Sequence, residues 1–263
     1  MIANKKYVIV FDLDETLGHF NQPYKFWYHL KKFLNTEIIH QEYFFSFLDL
    51  FPEFLRTNIF KILKYLKKKK INGICDNVII FTNNNGPNNW ANMIKSYFNK
   101  KLKYHLFDKI IRAYKINGKI VEKSRTTHGK SHIDFLNVTN FPSTTQICFI
   151  DDQYHPKMIN DNIMYIFINP YIYNLDYETM SKKYFKQNTE LFKKFNKTEN
   201  DFISYMAKLS NHNLENLNKT PVEKNIDLLI SEKIENNIKK FLKDKPTFTK
   251  KNKKIFKNQT RKN

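Results

Sequence analysis

The sequence predicts an α/β protein built on a largely parallel sheet flanked by helices. Three observations carry that prediction. Short apolar, strand-like runs alternate with helix-periodic stretches from Tyr7 to about Asn169. Three of these runs end on polar groups, at Asp12/Asp14, Thr82 and Asp151/Asp152, as strands do when their carboxyl ends line a site. A chain of 263 residues that is 41% hydrophobic and 16% aromatic can also bury a full core, which excludes a wholly disordered protein.

Tyr7–Leu13 reads as the first strand, an apolar β-branched run. Gln22–Phe51 follows as an insertion rich in aromatics and lysines and partly helical; its rings, among them Tyr24, Phe26, Trp27, Tyr28, Phe44 and Phe47, read first as core. In Glu53–Lys69 the positions Phe54, Leu55, Ile59, Ile62, Leu63 and Leu66 share one helical face that packs on the sheet. Asn77–Thr82 is the second strand, Asn88–Phe98 a helix with Trp90 and Tyr97 as packing residues, and Lys130–Leu136 a short helix. Gln146–Ile150 and Ile163–Ile168 are the remaining strands. After Pro170 the strand pattern stops, and helices are expected at Tyr177–Phe195, Glu199–Leu209 and Val222–Leu242. Lys245–Asn263 holds eight basic residues and no acidic ones, the composition of a disordered basic tail. The expected organisation is a domain over 1–175 with its insertion at 22–51, a helical extension over 176–244 and the tail over 245–263. Whether the extension packs on the first domain is left open.

The net charge is +20, with +12 of it in residues 181–263. Such a balance favours phosphate-rich or acidic partners, and the tail could engage nucleic acid. An AT-rich coding sequence accounts equally for it, since Lys, Asn, Ile, Tyr and Phe all abound while Arg stands at only four positions, 56, 112, 125 and 261. No apolar run approaches the roughly 18 residues of a membrane span, and the start of the chain carries no cleavable signal pattern. An intracellular protein, cytoplasmic or nuclear and not secreted, is therefore expected, without a membrane partner. The lysine runs Lys67–Lys70 and Lys250–Lys254 read as nuclear addresses or as solvated charge. Cys75 and Cys148 lack metal-ligand spacing and read as reduced core residues, which excludes a cysteine-ligated zinc site. His19, His128, His132 and His155 flank the acidic motifs without the spacing of a zinc or iron centre. Asn196-Lys197-Thr198 is a chance glycosylation match.

The chemistry concentrates in four places. Asp12 and Asp14, two residues apart past a buried strand, allow one carboxylate to attack and the other to exchange protons, although Asp and Thr also begin turns. Thr82, with Asn83 and the backbone N–H groups that follow, suits a phosphoryl oxygen. Lys130 leads a short helix and can bridge a phosphate and a carboxylate. Asp151 and Asp152 are poor core residues unless a cation compensates them, and hard oxygen ligands suit Mg²⁺.

In this order, Asp12/Asp14, Thr82, Lys130 and Asp151/Asp152 resemble the four motifs of the haloacid dehalogenase (HAD) superfamily. The string Asp12-Leu13-Asp14-Glu15-Thr16-Leu17, a DxDxT motif, is similar to the branch of phosphatases that act on the C-terminal domain of RNA polymerase II, including the nuclear-LIM-interactor-like members. The likeness covers about residues 5–175. It implies a HAD-like Rossmannoid fold and a Mg²⁺-dependent protein phosphatase working through an aspartyl-phosphate. Asp12 would be the nucleophile and Asp14 the acid and then the base; Thr82, with Asn83, would hold a phosphoryl oxygen, and Lys130 would neutralise charge. Asp151 and Asp152 would complete metal binding with the Asp12 carboxylate and the Asp14 backbone carbonyl, the second of the pair often being the direct ligand in this branch.

The chain departs from that branch in three ways. Lys130 lies 21 residues before Asp151, a longer gap than the branch has, which makes Lys123 the alternative lysine. Arg56-Thr57 stands where the branch often has Arg-Pro. The stretch 22–51 replaces a small β-insertion that grips phosphoserine-proline peptides, so substrate identity does not transfer with the chemistry. A phosphorylated protein is the expected substrate, a nucleic-acid 3′ end or a small phosphomonoester the rival, and a catalytically weak module recruiting a partner through the basic C-terminal region the reading from another class.

Overall fold

The structure, a computed structural model, describes residues 5–86, 89–211 and 219–243. Its frame is a five-stranded parallel sheet of order β3-β2-β1-β6-β7. These strands are β1 (Tyr7–Phe11), β2 (Asn77–Phe81), β3 (Lys109–Ile111), β6 (Gln146–Asp151) and β7 (Ile163–Phe167). A small antiparallel hairpin, β4 (Lys115–Ile116) with β5 (Lys119–Ile120), turns at Asn117-Gly118, both at positive φ. The four expected strands are present, β1 and β2 each stopping short of the polar residues that end their runs. The sequence reading missed β3, whose three residues give no periodicity to read, and the hairpin.

Because the central strands are buried on both sides, alternate residues feed two cores. Ile9, Phe11, Val78, Ile80, Cys148 and Ile150 face the larger one, and Val8, Val10, Ile79, Phe81, Ile147 and Phe149 the smaller. The smaller face is covered by α5 (His132–Thr139) through Phe135 and Val138. The larger core takes residues from α1 (Asn21–Phe33), α2 (Gln41–Leu50), α3 (Ile59–Ile71) and α4 (Trp90–Leu102). It also takes residues from α6 (Tyr177–Gln187), α7 (Thr189–Lys194), α8 (Glu199–Ala207) and α9 (Pro221–Lys243). The stretch 22–51 thus forms two helices, and Phe26, Trp27, Phe44, Phe45 and Phe47 are core, whereas Tyr28 is 39% exposed. Both cysteines are buried and form no disulfide, and burial pushes the Cys148 thiol up.

Three boundaries differ from expectation. The helix expected over Glu53–Lys69 begins only at Ile59: Pro52–Phe54 form a 3₁₀ turn, Leu55 is extended and bridges Gly18, and Asn58 adopts the left-handed conformation. Phe54 and Leu55 are buried all the same, which is why the periodicity ran through them. The expected helix Tyr177–Phe195 breaks at Asn188, whose side-chain amide donates to the Tyr184 carbonyl. Lys130 precedes α5 rather than leading it, because Ser131 is the N-cap, accepting from Asp134 N–H. The beginning of the helix expected from Asn88 and the basic tail over 245–263 lie outside the described residues. Among the described residues no helix is long and apolar enough to cross a membrane.

Candidate active site

The connection leaving β1 runs to β2 on one side, and that leaving β6 runs to β7 on the other. The crevice between the carboxyl ends of β1 and β6 is therefore the switch point at which open parallel sheets bind ligands. Asp12 and Asp151 both stand there, since Asp12 continues the pairing by donating its N–H to the Ile150 carbonyl at 2.9 Å.

Lys130 joins them. Its Nζ donates to Asp12 Oδ1 and, at 2.7 Å, to Asp151 Oδ2, and it is 2% exposed. Lys123 is exposed and joins none of these groups, so the lysine meeting the two carboxylates is the one with the long spacing. Asp151 is spoken for on both oxygens, as Oδ1 accepts the Gln153 N–H at 2.8 Å. Asp152 accepts the Thr16 hydroxyl at 3.1 Å. Asp14 Oδ2 accepts the Asn84 side-chain amide at 2.6 Å. Thr82 is buried at the end of β2, and its oxygen accepts the Asn84 N–H at 2.9 Å, which leaves the hydroxyl proton to be donated. Asp12, Asp14, Thr82, Asn83, Asn84 and Lys130 share the walls of one small cavity of about 150 Å³.

Two arginines hold this arrangement, and sequence reasoning assigned neither a role in the site. Arg56, 1% exposed, donates from Nε to the Thr16 carbonyl at 2.6 Å, and from Nη2 to the Glu15 carbonyl and to the Asn169 carbonyl at 3.1 Å. It pins the loop after β1, in which Glu15 has a φ of 57°. Gly18 closes that loop against Leu55, and a Cβ there would collide with the Phe54 carbonyl and the Phe20 ring. Arg125, 2% exposed, donates to Asn83 Oδ1 at 2.9 Å and to the carbonyls of Arg112 at 2.7 Å and His128 at 2.9 Å. It fixes the approach to Lys130 and occupies the Asn83 side-chain oxygen. The expected phosphate contact at Asn83 is thereby limited to its remaining N–H groups, while Asn84, which sequence reasoning passed over, makes the contact to Asp14.

Electrostatically the crevice carries excess negative charge. Burial raises the Asp12 carboxyl well above its usual range; Lys130 opposes this, and Asp151 and Asp14 reinforce it. Burial lifts Asp14 to about 6 despite the Asn84 bond. Burial works upward on Asp151 too, but His155, Lys130 and the Gln153 N–H together hold it below its usual value. Burial and the neighbouring Asp151 raise Asp152. Burial would lower the Lys130 ammonium, and Asp12 and Asp151 more than reverse that. Asp12, Asp151 and Asp152 each offer an oxygen, all within 4.8 Å of one another. Hard oxygen donors in that number, with one ammonium against four nearby carboxylates, are a set that can hold a metal ion.

The four histidines form no centre of their own. His19 Nδ1 pairs with Glu15 at 3.0 Å, and His155 Nε2 lies 3.4 Å from Asp151. The His128 ring packs on Tyr114, and burial lowers His132. Compared with known proteins, the chain matches no family model, no curated protein and no solved structure.

Proposed function

We propose that this protein is a phosphomonoester hydrolase of the HAD type, forming an aspartyl-phosphate on Asp12. The observation that carries the reading is the buried bridge from Asp12 through Lys130 to Asp151 at the switch point of the sheet. A phosphate dianion approaches a carboxylate only where positive charge cancels the repulsion, and Lys130 supplies part of it beside the attacking oxygen.

An Asp12 carboxylate oxygen attacks phosphorus as the bond to the leaving oxygen breaks, and Asp14 gives that oxygen its proton. Water then attacks the acyl phosphate, Asp14 takes the proton, inorganic phosphate leaves and the Asp12 carboxylate is restored. Asn84 orients Asp14 for both transfers. Thr82 donates its hydroxyl to a phosphoryl oxygen, and the N–H groups of Asn83 lie beside it. A Mg²⁺ ion, held by the carboxylates of Asp12, Asp152 and Asp151 and by the Asp14 carbonyl, would supply the remaining charge on the phosphoryl oxygens. With both Asp151 oxygens already engaged, Asp152 is the better direct ligand of the pair.

Resemblance to the polymerase-tail phosphatases is a likeness of chemistry. The part of those enzymes that grips a phosphopeptide has no counterpart in 22–51, which is helical here. The test is hydrolysis of p-nitrophenyl phosphate with and without Mg²⁺ by the intact protein and by Asp12→Asn. Metal-dependent turnover in the first and its loss in the second is the expected outcome. Turnover that survives Asp12→Asn, or none with any phosphomonoester, would overturn the reading.

A further inference from the structure

Beside the catalytic cavity a second one, of about 440 Å³, shares its residues Asp14, Glu15 and Asn84 and continues past Asn21 and Asn85. A third cavity, of about 170 Å³, adjoins it at Tyr24 and Trp90 and is lined further by Tyr28, Trp27, Met93, Lys31, Glu37 and Asn89. The three adjoin through these shared residues and lie in a row, a gallery of cavities from Asp12 to a ring-lined end chamber. Its order along the path is carboxylates and lysine, then side-chain amides, then aromatic rings.

The rings differ in what they offer. Trp27 and Trp90 are 5% and 2% exposed and back the chamber, and Tyr24 meets Trp90 edge-on at 5.4 Å. Tyr24 is half-buried, and Tyr28, one helical turn further along α1, is 39% exposed, their rings 6.3 Å apart and tilted by 31°. The tyrosines thus carry the accessible ring surface, and Lys32 sits 4.7 Å above Tyr28.

We propose that the leaving group accommodated here is a nucleoside, so that the substrate is a nucleotide or nucleic-acid phosphomonoester whose base stacks on Tyr28 and Tyr24. The inference rests on the hydrolase reading above and deepens it. A phosphate at Asp12, sugar hydroxyls along the asparagine corridor and a planar base among the tyrosines match the order of groups in the gallery. Stacking on aromatic rings accepts any base, since every base has a π-face. Basic character along α1, at Lys25, Lys31 and Lys32, suits a phosphate-bearing ligand. An extended phosphopeptide fits less well, because peptides commonly gain affinity by adding to a free strand edge. The gallery is walled instead by α1, the residues that follow it and the start of α4.

The experiment compares kcat/KM of the full chain, with Mg²⁺, for adenosine monophosphate (3′ and 5′ isomers), glycerol 2-phosphate and a phosphoserine peptide, and repeats it with Tyr28→Leu. The nucleotide is expected to exceed the ringless glycerol ester by about tenfold or more, the low end of what one stacked base contributes. That ratio should fall about tenfold in Tyr28→Leu, mainly through KM. A ratio near one in the intact protein, a ratio unmoved by Tyr28→Leu, or preference for the phosphopeptide would overturn the inference and leave the hydrolase reading standing. If none of the three is hydrolysed, and p-nitrophenyl phosphate is not either, the hydrolase reading fails and calorimetric titration with adenosine monophosphate decides. Binding weakened about tenfold by Tyr28→Leu supports the nucleotide chamber, and no binding overturns it.

Discussion

At the scale of single residues, the site depends on one buried cation. Lys130 is flanked by Asp12 and Asp151, and nothing else within hydrogen-bond reach of both carries positive charge among the described residues. Replacing it with methionine leaves two buried carboxylates facing each other. Breaking a buried pair in this way costs about 3–5 kcal/mol. Lys130→Met is therefore expected to lose that much stability in urea unfolding without metal, and to lose turnover. Retained turnover would remove Lys130 from the chemistry. The arginines carry a different lesson. In a chain that uses lysine almost everywhere, arginine stands at four positions, and two of them, Arg56 and Arg125, are buried clamps on backbone carbonyls. A planar guanidinium reaches several fixed acceptors at once, which a single ammonium on a flexible stem does not. Their scarcity was legible in the sequence and was the signal that could have pointed to them.

At the scale of elements, the positions of the candidate site groups follow from how each strand ends. β1, β2 and β6 stop where apolar residues give way to Asp12, Thr82 and Asp151, and that much was readable from alternation and polarity. The helices were readable as helices but not in their limits: α3 begins six residues late because the chain first pairs Leu55 with Gly18. α9 is tied to α3 through Glu235, which accepts from Lys61 at 2.9 Å and from Lys239 at 2.5 Å, and these two lysines draw its pKa below the ordinary 4.5. A carboxylate lowered by folding adds stability above its unfolded pKa and loses that contribution as pH falls through its folded pKa. Glu235→Gln should accordingly flatten the decline in unfolding free energy below about pH 4.5, as followed by urea titrations at stepped pH. Equal pH slopes in the two proteins would show that the pair contributes nothing.

At the scale of the whole molecule, the C-terminal helices and the sheet share one core. Ile234, Ile238, Phe241 and Leu242 of α9 belong to the same buried cluster as Ile9, Ile80 and Ile150, and Tyr7 meets Phe241 edge-on at 5.6 Å. The helices α6 to α9 therefore pack on the first domain, which composition alone left open. Ile238→Ala, at a fully buried position, should cost about 2–5 kcal/mol. Its effect should be global: helix loss by circular dichroism and fluorescence of Trp27 and Trp90, which lie in that cluster away from α9, should shift together. Helix loss that precedes the tryptophan change would instead make α9 an independent unit.

By itself the sequence determined the α/β class, four of the five strands of the sheet and the polar residues that end three of them, because strand alternation and chain polarity are local properties. It offered Lys130 by motif order and kept Lys123 as the alternative because of the long spacing. Tertiary structure alone decided which lysine meets Asp12, that Asn84 rather than Asn83 serves Asp14, and that two arginines fasten the loops. It likewise decided that 22–51 forms one wall of a gallery leading out of the site. Each of these depends on residues far apart in the chain meeting across the sheet edge, and no local pattern encodes such a meeting.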